Sequence, residues 1–255
     1  MIIEKRNLFF RSATIILEDE KILEFFKSGR YSSIVALSYH QLDLPGFVVT
    51  SKPTLLIPLQ KSEEEIFRNF NDTTRNEIRK AERIPELEVV RKEMPDDVSY
   101  ALYRKFEYSQ GRVPVNREVV KHSIFWGAYY NGELISGIYV TQSRPYLRVR
   151  SIFSERLGTD DKERYKLIGY STRRLVWEIC VWGTHEHFVS LDLASVNINN
   201  PKTESIARFK MSFGKQLTTE YLYTYKSKLF AALEKIVLVK LFLRRMTYRI
   251  KKLFS

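Results

Sequence analysis

Ser123-Ile124-Phe125-Trp126-Gly127-Ala128-Tyr129-Tyr130 runs straight into Asn131-Gly132 and then into Glu133-Leu134-Ile135-Ser136-Gly137-Ile138-Tyr139-Val140-Thr141. Both flanks are rich in aromatic and β-branched residues, which fit a pleated, half-buried surface. Asn-Gly is the strongest short hairpin signal, because both positions tolerate positive φ. The stretch therefore predicts a β-hairpin, 123–130 against 133–141.

Working outward, Asp96-Asp97 opens a helix that runs through Tyr108. Tyr146 to Phe153 is a third strand, and a long helix fills Arg164 to Trp182. His187 to Leu193 is β-like, Thr203 to Met211 a short helix, Lys215 to Tyr225 a last strand, and a helix starts near Lys228. Upstream, Asp19 to Lys27 reads as helix, and 33–38, 46–50 and 54–59 read as strands. Ser62 can cap a helix, with Glu65 three residues on as its capping-box partner. A second helix spans Thr73 to Arg83, and Glu86 to Arg91 is a strand. Meander strands followed by alternating helix and strand predict a mixed α/β fold.

Two stretches carry a family resemblance. In the first, a strand at 54–59 and an acidic helix start lead into Arg75-Asn76-Glu77-Ile78-Arg79-Lys80-Ala81. This resembles the Fem family, enzymes that add amino acids to peptidoglycan precursors, and related acetyltransferases of polysaccharide gene clusters. In the second, Ala128 to Gly137 resembles the central hairpin of the acetyltransferase-like (GNAT) fold. Leu191-Asp192-Leu193 and Ala207-Arg208-Phe209-Lys210-Met211-Ser212-Phe213-Gly214 resemble the end of Fem-like domains. The resemblance implies a GNAT-like mixed sheet flanked by helices. It divides the chain into a reduced GNAT-like half at 1–95, an acyltransferase domain at 96–227 and a basic amphipathic C-terminal helix at 228–255.

It also implies an activity: transfer of an acyl group to an amino group of a cell-envelope polysaccharide or peptidoglycan precursor. The implied donor is acetyl-CoA or another acyl-CoA, with aminoacyl-tRNA as the alternative. One departure bears on that choice. Acetyl-CoA enzymes of this fold carry an (R/Q)-x-x-G-x-(G/A) loop before the long helix, where backbone N–H groups cradle the pyrophosphate. Here the matching region is Glu163 to Ser171, with Gly169 alone. An acyl-CoA would lie against the helix start at Lys166, Gly169 and Tyr170.

Acyl transfer to an amine needs a cation or donor near the developing oxyanion, a route for the amine proton, and alignment. By resemblance, Lys210 faces the reaction centre; read alone, it is a lysine on a short amphipathic helix. Asp192 sits inside a β run, where a carboxylate is not a default core residue. It is either an amine-orienting acid or a satisfied strand-end acid. Arg75 and Arg79 share one helical face. With Lys80 they could grip phosphates of a nucleotide- or lipid-linked acceptor, or form a solvated face paired with Glu77 and Glu82.

The totals exclude other classes. The 255 residues carry a net charge of +12, and 44% are hydrophobic, which suits a folded core. Cys180 is the single cysteine, so no internal disulfide forms, and it reads as a core thiol. His40, His122, His185 and His187 give no metal spacing, so no metal is expected. Met1 to Arg11 lacks the apolar run of a leader, and no segment reaches the roughly 18 apolar residues of a membrane span. The expected location is therefore cytoplasmic, at the inner face of the membrane.

That placement rests on residues 235–255, which hold seven basic and no acidic side chains. They read as an interfacial helix for an anionic membrane, with packing on the body or tRNA binding as alternatives. A non-catalytic membrane- or nucleic-acid-binding protein of the same fold is the rival reading.

Overall fold

The computed structural model describes residues 1–7, 9–155, 161–197 and 204–234. The fold is mixed α/β, as the hairpin and its flanks predict. The expected interfacial helix at 235–255 lies outside the described residues. Residues 228–234, just before it, are helical.

The chain forms two compact units. One holds Met1 with Lys52–Glu220, and the other holds Ile2–Ser51 with the chain from Tyr221. The first unit therefore runs across the boundary read at residue 95. The physical reason is a shared core. Leu55, Ile57, Ile66, Phe70, Ile78 and Leu87 bury with Trp126, Ile138, Val149, Leu175, Ile179 and Leu191 in one apolar cluster.

In the first unit the strands are β4 (Val48–Pro58, from Lys52 onward), β5 (Leu87–Lys92), β6 (Ile124–Tyr130), β7 (Glu133–Ser143), β8 (Tyr146–Ser154) and β9 (Ser190–Ser195). Their order across the sheet is β4-β9-β8-β7-β6-β5. The helices are α2 (Glu63–Asn69), α3 (Asp72–Glu82), α4 (Asp97–Ser109), α5 (Arg117–Val120), α6 (Lys162–His185) and α7 (Glu204–Met211). Local signals set the boundaries. Asn131 and Gly132 take φ of 51° and 79°, so β6 and β7 form the predicted hairpin. The Ser62–Glu65 capping box forms and starts α2. Asp96 caps α4, accepting from the Ser99 N–H at 2.8 Å. Gly127 faces Gly137 across the hairpin. A Cβ on Gly137 would lie 2.6 Å from the Phe153 ring, so the glycine leaves room for a second cluster of Phe125, Phe153, Tyr103 and Tyr139.

Two features position the site. Strands β8 and β9 pair in parallel, but only from Tyr146↔Ser190 to Arg148↔Asp192; β8 then runs on to Ser154 without a β9 partner. The strands diverge beyond that point. In β9, Thr54 faces Ser195 while Leu56 faces Asp192, so β9 carries one extra residue. Ala194 takes that bulge with φ of 62°, a left-handed conformation that a residue with a Cβ rarely adopts.

The second unit contains β1 (Ile2–Asn7), β2 (Phe10–Ile16), β3 (Ser33–Ser38) and the end of β10 (Leu217–Lys226), with α1 (Asp19–Lys27). Its core gathers Ala13, Ile15, Ile22, Ile34, Ala36, Leu44 and Tyr223. The hairpin β1–β2 was not read in the sequence, and the strands at 46–50 and 54–59 are one strand, β4, that continues through Pro53.

Candidate active site

The divergence of β8 and β9 gathers four charged side chains of the first unit. Asp192, on β9, is fully buried. Its Oδ1 accepts from the Thr54 hydroxyl and, at 2.7 Å, from the Ala194 N–H. The bulge thus turns the β9 backbone back onto its own carboxylate. Its Oδ2 accepts from the Arg148 guanidinium. The other arm of Arg148 donates to Glu220 Oε2 at 2.6 Å, and Glu220 is itself 7% exposed. One arginine therefore bridges two shielded carboxylates, in the forked geometry that guanidinium suits.

Lys210 comes to this cluster from α7. Its Nζ donates to the Ser195 carbonyl at 2.9 Å, just past the bulge. Burial lowers its pKa to about 8; Asp192 pulls upward, Arg148 downward and Glu220 upward. Near neutral pH it remains mostly protonated, and one carbonyl leaves two of its three N–H donors for a ligand. The sequence-based pair, Lys210 and Asp192, is thus in one place. The two differ in availability. Asp192 already accepts at least three hydrogen bonds, which suits a positioning role, whereas Lys210 retains donors.

The phosphate-gripping set separates. Arg75 donates to the carbonyls of Arg68 at 2.7 Å and Phe70 at 2.8 Å and pairs with Asp72, so its guanidinium fastens the end of α2. Its expected acid, Glu77, pairs instead with Arg173 at 2.9 Å. Arg79 lies over the Phe67 ring at 5.3 Å, and Lys80 lies over Tyr170 at 5.5 Å.

The donor set gathers at the start of α6, apart from Gly169, which is buried in the helix. Lys166 and Tyr170 line a cavity of about 370 Å³ with Ile84, Tyr130, Asp161, Glu163, Arg164 and Leu167. Its cations are already matched. Lys166 pairs with Glu163 at 2.7 Å, and Arg164 with Glu133 and Glu155 at 2.7 and 2.9 Å. The helix N-terminus is also occupied: Asp161 accepts from the N–H groups of Glu163 and Arg164.

Cys180 is fully buried in the core, and burial raises its pKa. His185 bonds Glu63 at 2.7 Å, and among the described residues no group of three or more metal-ligating side chains gathers. Sequence reading missed Arg148, Glu220 and Thr54. The available signal was charge inside strands: Leu147-Arg148-Val149-Arg150 alternates apolar and basic residues.

No protein-family model matches the sequence, and no curated protein matches it. Solved structures do resemble it. The C-terminal domain (DUF2156) assigned to a lysylphosphatidylglycerol synthetase of Agrobacterium fabrum superposes with a TM-score of 0.54 at 12% identity, over 93% of this chain and 84% of that one. L-PGS from Bacillus licheniformis gives 0.53 at 10% identity, over 94% and 85%. FemX gives 0.57 at 8% identity, over 92% and 86%. At these identities the likeness concerns the fold, and it is the GNAT-like fold expected from the sequence.

Proposed function

We propose that this chain is an N-acyltransferase that acylates an amino group of a cell-envelope precursor, an amino-sugar or peptide acceptor that is nucleotide- or lipid-linked. The observation that carries the reading is Lys210: a half-buried ammonium, held by one carbonyl, beside a rigid ion cluster where two strands part. An amine nitrogen attacks the donor carbonyl, the C–N bond forms, and negative charge grows on the carbonyl oxygen. A fixed cation there stabilises the transition state more than the ground state. The bond to the leaving sulfur or oxygen then breaks, and the amine proton departs with it. Asp192 and Arg148 act as positioning residues, fixing the β9 bulge from which Lys210 hangs. The likeness to FemX and to a structure named for lysylphosphatidylglycerol synthesis supports an envelope acceptor.

In this reading the donor is acetyl-CoA or another acyl-CoA, with Lys166 and Tyr170 along its path at the start of α6. A second reading, transfer from aminoacyl-tRNA, is favoured by one observation. Asp161 already holds the N–H groups that a CoA pyrophosphate would need. The basic stretch 235–255 would hold the protein at an anionic membrane, where a lipid-linked acceptor resides.

The test is a binding titration with acetyl-CoA and, in parallel, with charged and uncharged tRNA. Saturable CoA binding supports the first donor. Salt-sensitive binding of charged tRNA without CoA supports the second. Binding of neither, or an activity indifferent to Lys210→Ala, would overturn the enzyme reading in favour of a non-catalytic binding protein.

A further inference from the structure

Arg150 lies in β8, two residues beyond the last pair with β9. It also falls out of register with β7: Tyr139 faces Ser151 and Val140 faces Val149, so Arg150 is the extra residue of a bulge. The bulge sits just past the point where the sheet opens, and its arginine lies near Tyr103. The Nε atom is sealed from solvent and has no hydrogen-bond partner. Among the described residues Arg150 makes no ion pair, in contrast to Arg148, which holds two carboxylates from the same strand. Burial lowers its pKa, and the ionisable group that acts on it is the Tyr103 phenol, not an acid. Tyr103 is itself fixed, packed edge-to-face against Tyr139 and Phe153 and accepting from the Val115 N–H at 3.0 Å.

Buried charges in folded proteins are paired, and buried polar atoms are bonded, unless a ligand supplies the partner. Ordinary packing does not account for a buried, unbonded Nε on a partly buried guanidinium at a bulge. We propose that Arg150 is an anion subsite that takes a carboxylate or phosphate oxygen of the acceptor. The planar guanidinium fits both groups, in one or two parallel hydrogen bonds. As an acceptor subsite this rests on the acyltransferase reading, and it deepens it by making the acceptor an acidic amine. As an anion site it stands without turnover.

The experiment reads the Arg150 Nε–H directly by nitrogen-15 NMR on the full chain, with the resonance assigned by its loss in Arg150→Lys. Inorganic phosphate and acetate are titrated separately at constant ionic strength. The expected result is a saturable shift of this resonance with at least one anion, with surface arginines such as Arg79 unmoved. The responding anion identifies the source, phosphate or carboxylate. A second variant guards against misfolding. Arg150→Met removes a partly buried charge that has no ion pair among the described residues, so it should melt higher than the parent without anion and lose the anion-dependent rise in Tm. An Arg150 resonance indifferent to both anions would overturn the site, even in an active enzyme. A shifted resonance in a protein that transfers no acyl group would overturn the activity and leave the anion site standing.

Discussion

Two regions of the first unit carry cations, and they treat them in opposite ways. At the start of α6, Lys166 is exposed and tied to Glu163, while Arg164 is shared by two glutamates. Where β8 and β9 part, Lys210 is half-buried, held by a carbonyl, and in no ion pair among the described residues. Charge at the first place is neutralised at contact and screened by water, so it is worth little. Charge at the second is partly desolvated and held in place, which is the condition under which it acts strongly on a reacting group. Residues that resemble a family's binding set can therefore differ in capacity by how their charge is already spent.

The sharpest way to break this contrast is to remove what fixes the second region. Arg148→Met leaves Asp192 and Glu220 buried without their shared cation. Stability should fall by about 3–5 kcal/mol, since uncompensated buried charges are that unfavourable. Urea unfolding measures it. A loss under about 1 kcal/mol would mean that the cluster does not hold the strands.

Lys210→Met should cost about 10²–10³ in kcat, the usual effect of losing one oxyanion donor, with the fold intact by circular dichroism. The pH profile sharpens the reading. If the ammonium acts, activity falls as pH rises through about 8, its lowered pKa. The stability effect has the opposite sign. A lysine whose folded pKa is about 8 against an ordinary 10.5 binds fewer protons folded than unfolded between those values. Stability contributed by this group therefore rises from pH 8 to 10.5 and is lowest below 8. Lys210→Met should consequently raise Tm at pH 7 and lose that advantage at high pH. A uniform drop in Tm across pH would show that the lysine packs rather than strains.

Thr54→Val tests the floor of the site. It keeps the shape and removes the hydroxyl that donates to Asp192. The expected loss is about 1–3 kcal/mol, the effect of leaving a buried acceptor short of a partner. A neutral outcome would mean that the remaining partners of the carboxylate, Arg148 and Ala194 among them, satisfy it.

The same contrast explains what the sequence could disclose. Local chemistry was legible: Asn131-Gly132 set the hairpin, and Ser62 with Glu65 set α2, because each acts within a few residues. The hairpin β1–β2 was not. Ile2-Ile3-Glu4-Lys5-Arg6-Asn7 alternates poorly, and β2 gains its second partner only from the non-local strand β3. The site followed the same rule. Lys210 and Asp192 stood out through resemblance. Arg148 joins Asp192 across 44 residues, Glu220 joins Arg148 across 72, and Thr54 reaches Asp192 across 138. No spacing in the chain encodes such meetings; the sheet order does. Arg75 misled for a related reason. Its helical spacing with Arg79 was right, but its guanidinium turns back to the carbonyls that end α2.

The smallest effect is expected at Lys166, and it is the one that separates the donors. Lys166→Ala removes an exposed pair with Glu163, so Tm should not move measurably. If acyl-CoA runs along the start of α6, the substitution takes a cation from the wall of its cavity, and KM for acyl-CoA should rise several-fold with kcat unchanged, the pattern of lost uniform binding. If the donor is an aminoacyl ester that enters elsewhere, neither constant should change. The matched charges at this helix start would then be there to finish a helix end, with Asp161 as its cap and Glu163 in its first turn. A fall in kcat on Lys166→Ala would contradict both readings, because it would place transition-state stabilisation where every cation is already paired.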